Sequence, residues 1–230
     1  NHVIPTWNTL TMPDGSAWSL RKVITYAFFE DVVFSYIKQK APSLHPFLTD
    51  HLTILGRGHP ILKRYHELLL RCFETGTCPD HWKEIIAILI PKTYGDALAP
   101  KDLRDIWLVA HGQKLANKLL LRGATSSLAD RYLACAAGFT RGRGIAELAF
   151  AMHATIALSL KQRQNTYVLY VDLSKCFMSF DRVIGLHIMR MIGLPDEAAG
   201  AWWGMYSEGI QGCFETAFGS SKWFKISRGF

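Results

Sequence analysis

The stretch Tyr167–Arg182 reads YVLYVDLSKCFMSFDR, an apolar run that ends on a carboxylate. A run this rich in β-branched and aromatic residues predicts a buried strand over Tyr167–Val171. Side chains alternate along a strand, so Tyr167, Leu169 and Val171 share one face and Val168, Tyr170 and Asp172 the other. A carboxylate at the C-terminal tip of such a strand is held in place yet can face solvent or a metal. Its oxygens suit Mg²⁺, which keeps several waters and bridges to substrate phosphates. The competing reading is that Asp172 caps the turn or helix that follows.

Charge narrows the choice of partner. The 230 residues carry 26 Lys and Arg against 19 Asp and Glu, a formal net charge of +7. That favours a polyanionic partner, nucleic acid or an anionic membrane surface, although a basic soluble protein can have neither. The five cysteines are scattered and form no Cys-x-x-Cys pair, which suggests neither a disulfide framework nor a zinc site and fits a reducing compartment. No apolar run is long enough for a membrane span. The longest candidate, Ile145–Leu160, carries Glu147 and His153 and reads as a buried helix. The chain starts at Asn1 without a signal segment and stops at Phe230 inside an unfinished pattern, so a fragment of something longer is expected.

Along the chain, residues 1–18 read as irregular, with a Pro-Asp-Gly turn at 13–15. Helical spacing predicts a helix over Ser19–Lys40 with Ser19 as its N-cap, a connecting region over Ala41–Pro60, and a helix over Ile61–Phe73 that stops near Gly76. Ile85–Ile90 and Arg104–Val109 predict a strand–loop–strand unit. Lys114–Arg131 reads as helical, followed by the glycine-arginine loop Gly138–Gly144 and the Ile145–Leu160 helix. Arg182–Ile192 predicts a helix ended by Gly193 and Pro195, and Asp196–Ser207 another with acids in its first turn. Cys213–Phe218 and Trp223–Ile226 flank a turn and predict a hairpin.

Basic residues accompany Asp172. Lys175 and Arg182 lie close by in sequence, and Lys92 and Arg104 bracket the loop of the strand–loop–strand unit. A lysine and an arginine there can clamp a triphosphate, as a point charge and a bidentate fork. Arg141 and Arg143, set between glycines, can contact a nucleic-acid backbone. Each also has an ordinary reading as a solvated surface cation.

Taken in order, WKEIIAILIPK, DLRDI, a Lys-rich helix, GFTRGRG, YVLYVDLSKCF and FKISRGF resemble the reverse transcriptase domain of non-LTR retrotransposons and their group II intron relatives, from about Ile61 to Phe230. The resemblance implies an α+β right-hand polymerase fold, with fingers over 61–165, a partial palm over 166–230 and an N-terminal extension of unassigned role over 1–60. It implies that Asp172 is a catalytic metal-binding aspartate and Phe177 the aromatic gate under the incoming sugar. Arg104 and Lys92 match the residues that hold the nucleotide triphosphate. Gly138, Phe139 and Arg143 match the loop before the palm, and Arg228 and Gly229 the start of the motif that positions template and nucleotide.

The pattern has departures. Asp105 stands where the family has Pro, Ala136 where it has Gln, Cys176 where Ala is common, and Met178 where an Asp follows the gate. Asp181 sits off the motif and reads as the cap of the next helix. The family's Gln-Gly and its Tyr-x-Asp-Asp hairpin, source of the remaining metal carboxylate, would come after Phe230.

The function implied is RNA-directed DNA polymerisation by a parent protein, with Mg²⁺ as cofactor, an RNA template, a DNA primer and dNTP as partners, no membrane, and a nuclear location. The chain by itself is expected to be inactive and poorly soluble. The alternative is a reverse-transcriptase-like scaffold, or a degenerate remnant, that binds RNA without polymerising.

Overall fold

The computed structural model describes residues 17–36, 47, 49–92, 99, 102–128, 137–138, 142–173, 176–207, 209–216 and 219–229. The expected turn at 13–15 lies outside these residues. The chain divides into two compact units, one formed by 1–128 with 177–230 and the other by 129–176.

Among the described residues the first unit has two short helices where helical spacing predicts one: α1 (Leu20–Val23) and α2 (Tyr26–Phe34). The break has a local cause. The Thr25 hydroxyl accepts the Phe28 N–H at 3.2 Å and caps α2. The Ile24 carbonyl, freed at the break, lies 2.8 Å from Nε2 of the buried His66, which donates to it. Ser19 occupies the N-cap position of α1, but its side chain caps nothing. The Leu20 N–H instead donates to Glu197 across the fold at 3.0 Å.

The region read as a connector contains a helix, α3 (Thr49–Ile54). Helix α4 (Pro60–Thr75) follows, with Pro60 at its first turn, and Gly76 ends it in a left-handed conformation at φ +62°. A side chain at Gly204 would run into the Gly76 backbone, so these two glycines let α4 meet α9 (Asp196–Tyr206) at backbone contact.

A 3₁₀ turn (Asp80–Lys83) leads into β1 (Glu84–Pro91), which pairs antiparallel with β2 (Leu103–Leu108), as the strand–loop–strand reading expects. The register sets Ile90 opposite Arg104 and Ala87 opposite Trp107. On its other side β1 pairs in parallel with β3 (Gln211–Thr216), a long-range partner that no local pattern announces. β3 also pairs antiparallel with β4 (Gly219–Ser220) and β5 (Phe224–Lys225), which realises the expected hairpin. The result is one mixed five-stranded sheet in a fold of helices and strands, compatible with the α+β class.

One face of the sheet carries Trp107, Phe214 and Phe224, with ring centroids 5.2 to 6.3 Å apart. The helical core gathers Phe29, Val33, Leu62, Leu69, Leu115, Leu119 and Met205 from α2, α4, α5 (His111–Leu128) and α9, all closed to solvent. After the short α7 (Cys176–Ser179) comes α8 (Arg182–Met191). Asp181 caps α8 as expected, its carboxylate accepting the Val183 and Ile184 N–H groups at 2.9 and 3.2 Å. Gly193, at φ +92°, ends it: its N–H and that of Leu194 bond back to the Arg190 and Met189 carbonyls.

The second unit contains α6 (Ile145–Lys161). The same helix-ending pattern closes it with an arginine in the left-handed position, Arg163 at φ 54°, the Gln164 N–H reaching the Ser159 carbonyl at 2.9 Å. Two expectations fail in this unit. The helix forms, but none of its residues is buried, and Ile145, Phe150 and Leu160 are open to solvent. Helical hydrogen bonds are local, so apolar spacing fixes the helix without fixing what covers it. The strand expected over Tyr167–Val171 is absent: these residues form no ladder and stand exposed, Tyr167 at 91% and Leu169 at 87%. A strand needs a partner, and β-propensity registers only that a residue fits a pleated surface once one exists.

Among the described residues no helix is long and apolar enough to cross a membrane.

Candidate nucleic-acid and metal site

Asp172 follows the exposed 167–171 segment and is itself exposed. Helix α7 is described from Cys176, and positions 174 and 175, which join Asp172 to it, lie outside the described residues. The buried strand tip expected to hold this carboxylate is not formed. Tyr170 keeps one contact inside the unit, its hydroxyl 3.4 Å from the Met152 sulfur. Among the described residues no three His, Cys, Asp or Glu side chains gather where a metal ion could sit. Asp172 thus offers one carboxylate, and the described residues do not compose a two-metal centre by themselves.

The cations on the β1–β2 hairpin are better defined. Arg104 faces solvent on β2, across from Ile90. Lys92 is exposed just past the end of β1, its N–H bonded to the Asp102 carbonyl at 2.9 Å. Both therefore lie at the loop end of one hairpin. Exposed Ile88, Ile90 and Ile106 stand on the strands between them and the core. Asp105, the departure from the family's Pro, has a structural task here: it accepts the Trp107 indole N–H at 2.6 Å, two residues along the same face.

Arg143 is exposed just before α6, in the second unit. Arg141, Phe139, Ala136 and Lys175, as well as the Phe177 side chain, lie outside the described residues. Gly138 lies exposed in a turn.

The C-terminal motif is held by a residue the sequence reading set aside as one cation near Asp172. Arg182 is 6% exposed, and its guanidinium donates to three main-chain carbonyls: Gly229 at 2.9 Å, Tyr206 at 2.8 Å and Ile226 at 3.2 Å. Burial pulls its pKa below the ordinary arginine value. The Gly229 N–H returns a bond to the Phe180 carbonyl at 2.9 Å. Gly229 is buried at φ +78°, a conformation that side-chain-bearing residues rarely adopt, while Arg228 beside it is exposed. One buried fork thus fixes the segment that presents Arg228.

Behind it, the Tyr206 hydroxyl takes a hydrogen bond from the Asn117 amide. Burial pushes that hydroxyl up to about 12, against the lowering effect of the Asn117 bond. A sequence signal for Arg182 existed, a cation directly after a helix cap. It does not distinguish a buried anchor from a solvated side chain.

Compared with known proteins, the chain matches no family model, and no curated protein aligns with it significantly.

Proposed function

We propose that the chain is the fingers and partial palm of an RNA-directed DNA polymerase of the non-LTR retrotransposon type. Its parent protein extends a DNA primer on an RNA template with dNTP, in the nucleus. The observation that carries the reading is the β1–β2 hairpin, which sets exposed Arg104 and Lys92 together at its loop end, within the ordered motif series that runs on to Arg228 and Gly229. In this reading Arg104 and Lys92 hold the nucleotide triphosphate and Phe177 gates the sugar. Arg141 and Arg143 contact nucleic-acid backbone, as Arg228 and Gly229 contact template and nucleotide. Asp172 contributes one carboxylate to Mg²⁺, whose chemistry is activation of the primer hydroxyl and charge neutralisation at the leaving phosphate. In this reading Asp172 is the metal ligand the described residues supply, and the 230-residue chain alone is expected to extend no primer.

The second reading is a scaffold of reverse-transcriptase type that binds RNA without polymerising. It is favoured by Asp172 standing exposed rather than on a buried strand and by Met178 in place of the Asp that follows the gate.

The nucleic-acid component common to both readings is tested by titrating the chain with an RNA-template–DNA-primer duplex at several salt concentrations. Binding that weakens linearly in log–log form as salt rises is expected, because phosphate contacts release counterions. Asp172→Asn should bind as tightly as the parent sequence. Salt-independent binding, or none at low salt, would remove both readings.

A further inference from the structure

Beside β5 the sheet opens into a groove of about 580 Å³ lined by Gly209, Ile210, Gln211, Trp223, Phe224 and Lys225. Trp223 is 43% exposed and presents indole surface to solvent. Lys222 and Lys225 flank it and are exposed. At the other end a third cation closes in: the Lys83 Cδ and Nζ would lie 3.4 and 3.8 Å from a Cβ at Gly209. Gly209 has φ +75°, so this end of the groove is kept free of a side chain. The carboxylates on this part of the sheet are Glu84, across Gln211 from Lys225 in the strand register, and Glu215, on the same face of β3 further along the strand.

The groove is rigidly mounted. Phe224, adjacent to Trp223, stacks on Phe214 at 5.2 Å, and β5 is registered on β3 through Gln211 and Gly212. The Ile226 N–H bonds to the Ile210 carbonyl at 2.9 Å, and the Arg182 fork grips the Ile226 carbonyl at 3.2 Å. An exposed indole just before the registered strand β5, with cations on both sides, matches the needs of an unpaired base and its neighbouring phosphates. Stacking uses the flat π face, and lysines act as point charges along a backbone. A duplex buries its base faces against each other and has none to offer the indole.

We infer that this groove binds single-stranded nucleic acid, with one base stacked on Trp223 and phosphates met by Lys222, Lys225 and Lys83. The inference rests on the proposed nucleic-acid partner and adds a site to it, continuous along the chain with Arg228.

The test is fluorescence anisotropy of the 230-residue chain with labelled oligouridylate and oligothymidylate of about 12 nucleotides, beside a duplex of equal length. Trp223→Ala should weaken single-strand binding about tenfold and leave duplex binding unchanged, since one stacked base accounts for roughly that factor. Trp223→Phe should keep most of the affinity. Lys222→Ala with Lys225→Ala should flatten the slope of log affinity against log salt by about 1.4, at roughly 0.7 per contact on single strands. Circular dichroism checks that each variant folds, and the lysine pair and Trp223→Phe carry the test if Trp223→Ala does not. If the unaltered chain binds single strands while Trp223→Ala and the lysine pair match it in affinity and salt slope, the groove is not the site and the nucleic-acid reading stands. Equal losses on single strand and duplex would overturn the stacking role. No binding of either form at low salt would overturn the inference and the reading together.

Discussion

The Arg182 guanidinium donates to the Gly229 carbonyl across 2.9 Å, joining the first residue of α8 to a segment 47 positions further along the chain. The same side chain reaches Tyr206 and Ile226, so three main-chain carbonyls depend on one fork. Removing it leaves buried acceptors without a donor, at a cost of about 1–3 kcal/mol for each acceptor that water cannot reach. Arg182→Met should therefore lower the unfolding free energy by about 3 kcal/mol. Arg182→Lys should recover only part of the loss, because an ammonium cannot span the three acceptors. Urea unfolding of the two variants measures both values, and an Arg182→Met midpoint equal to that of the parent sequence would contradict the anchoring role.

The close approach of α4 and α9 makes a second prediction. A methyl at Gly204 meets the Gly76 backbone, which has no flexible end to yield. Gly204→Ala should destabilise by about 1–3 kcal/mol despite alanine's better helix propensity. Gly200→Ala, one turn earlier on α9 with open space around it, should be neutral or mildly stabilising. A thermal melt of the pair decides.

Glu30 predicts an acid-sensitive contact. Its carboxylate accepts from the Gly58 N–H and, at 2.8 Å, from the Tyr26 hydroxyl. The Gly58 bond is the largest influence on its pKa, which lies below the ordinary value of 4.5 although burial opposes the shift. A lowered folded-state pKa means that the contribution to stability is complete above 4.5 and is lost as pH falls through the folded value. Glu30→Gln should flatten that acid limb of a stability–pH curve and change little near neutrality in its slope. An unchanged acid limb would show that Glu30 is not its source.

Thiol chemistry separates the cysteines. Burial pushes the Cys72 thiol up to about 11 and that of buried Cys213 upward as well. Their thiolate fractions at neutral pH are accordingly small. Cys176 is exposed. Iodoacetamide labelling followed by peptide mass analysis should modify Cys176 well before Cys72 and Cys213, an order that denaturant removes.

What was legible in the sequence was local. Gly76 and Gly193 end helices α4 and α8, Asp181 caps α8, and the 85–90 and 104–109 runs pair as a hairpin. These signals act over a few residues, and nothing distant competes with them. The parallel union of β1 with β3 and the Arg182 fork join residues far apart, and neither composition nor period encodes such a partner. The 167–171 run and α6 err in the same direction. Their apolar character marks surface suited to burial, but burial also requires a second surface, and among the described residues these side chains meet none that covers them. Asp172 was legible as a carboxylate ending an apolar run, but its place on a buried strand was not.

The central claim is that Asp172 serves polymerisation in the parent protein. Primer extension on an RNA template with Mg²⁺, comparing the parent protein with its Asp172→Asn variant, tests it most directly. The account predicts extension by the former, a loss of about a hundred- to a thousandfold in the latter by analogy with removal of a key charge-stabilising group, and template–primer binding that stays the same in both. Extension by Asp172→Asn at the parent rate, or none by the parent protein itself, would contradict it.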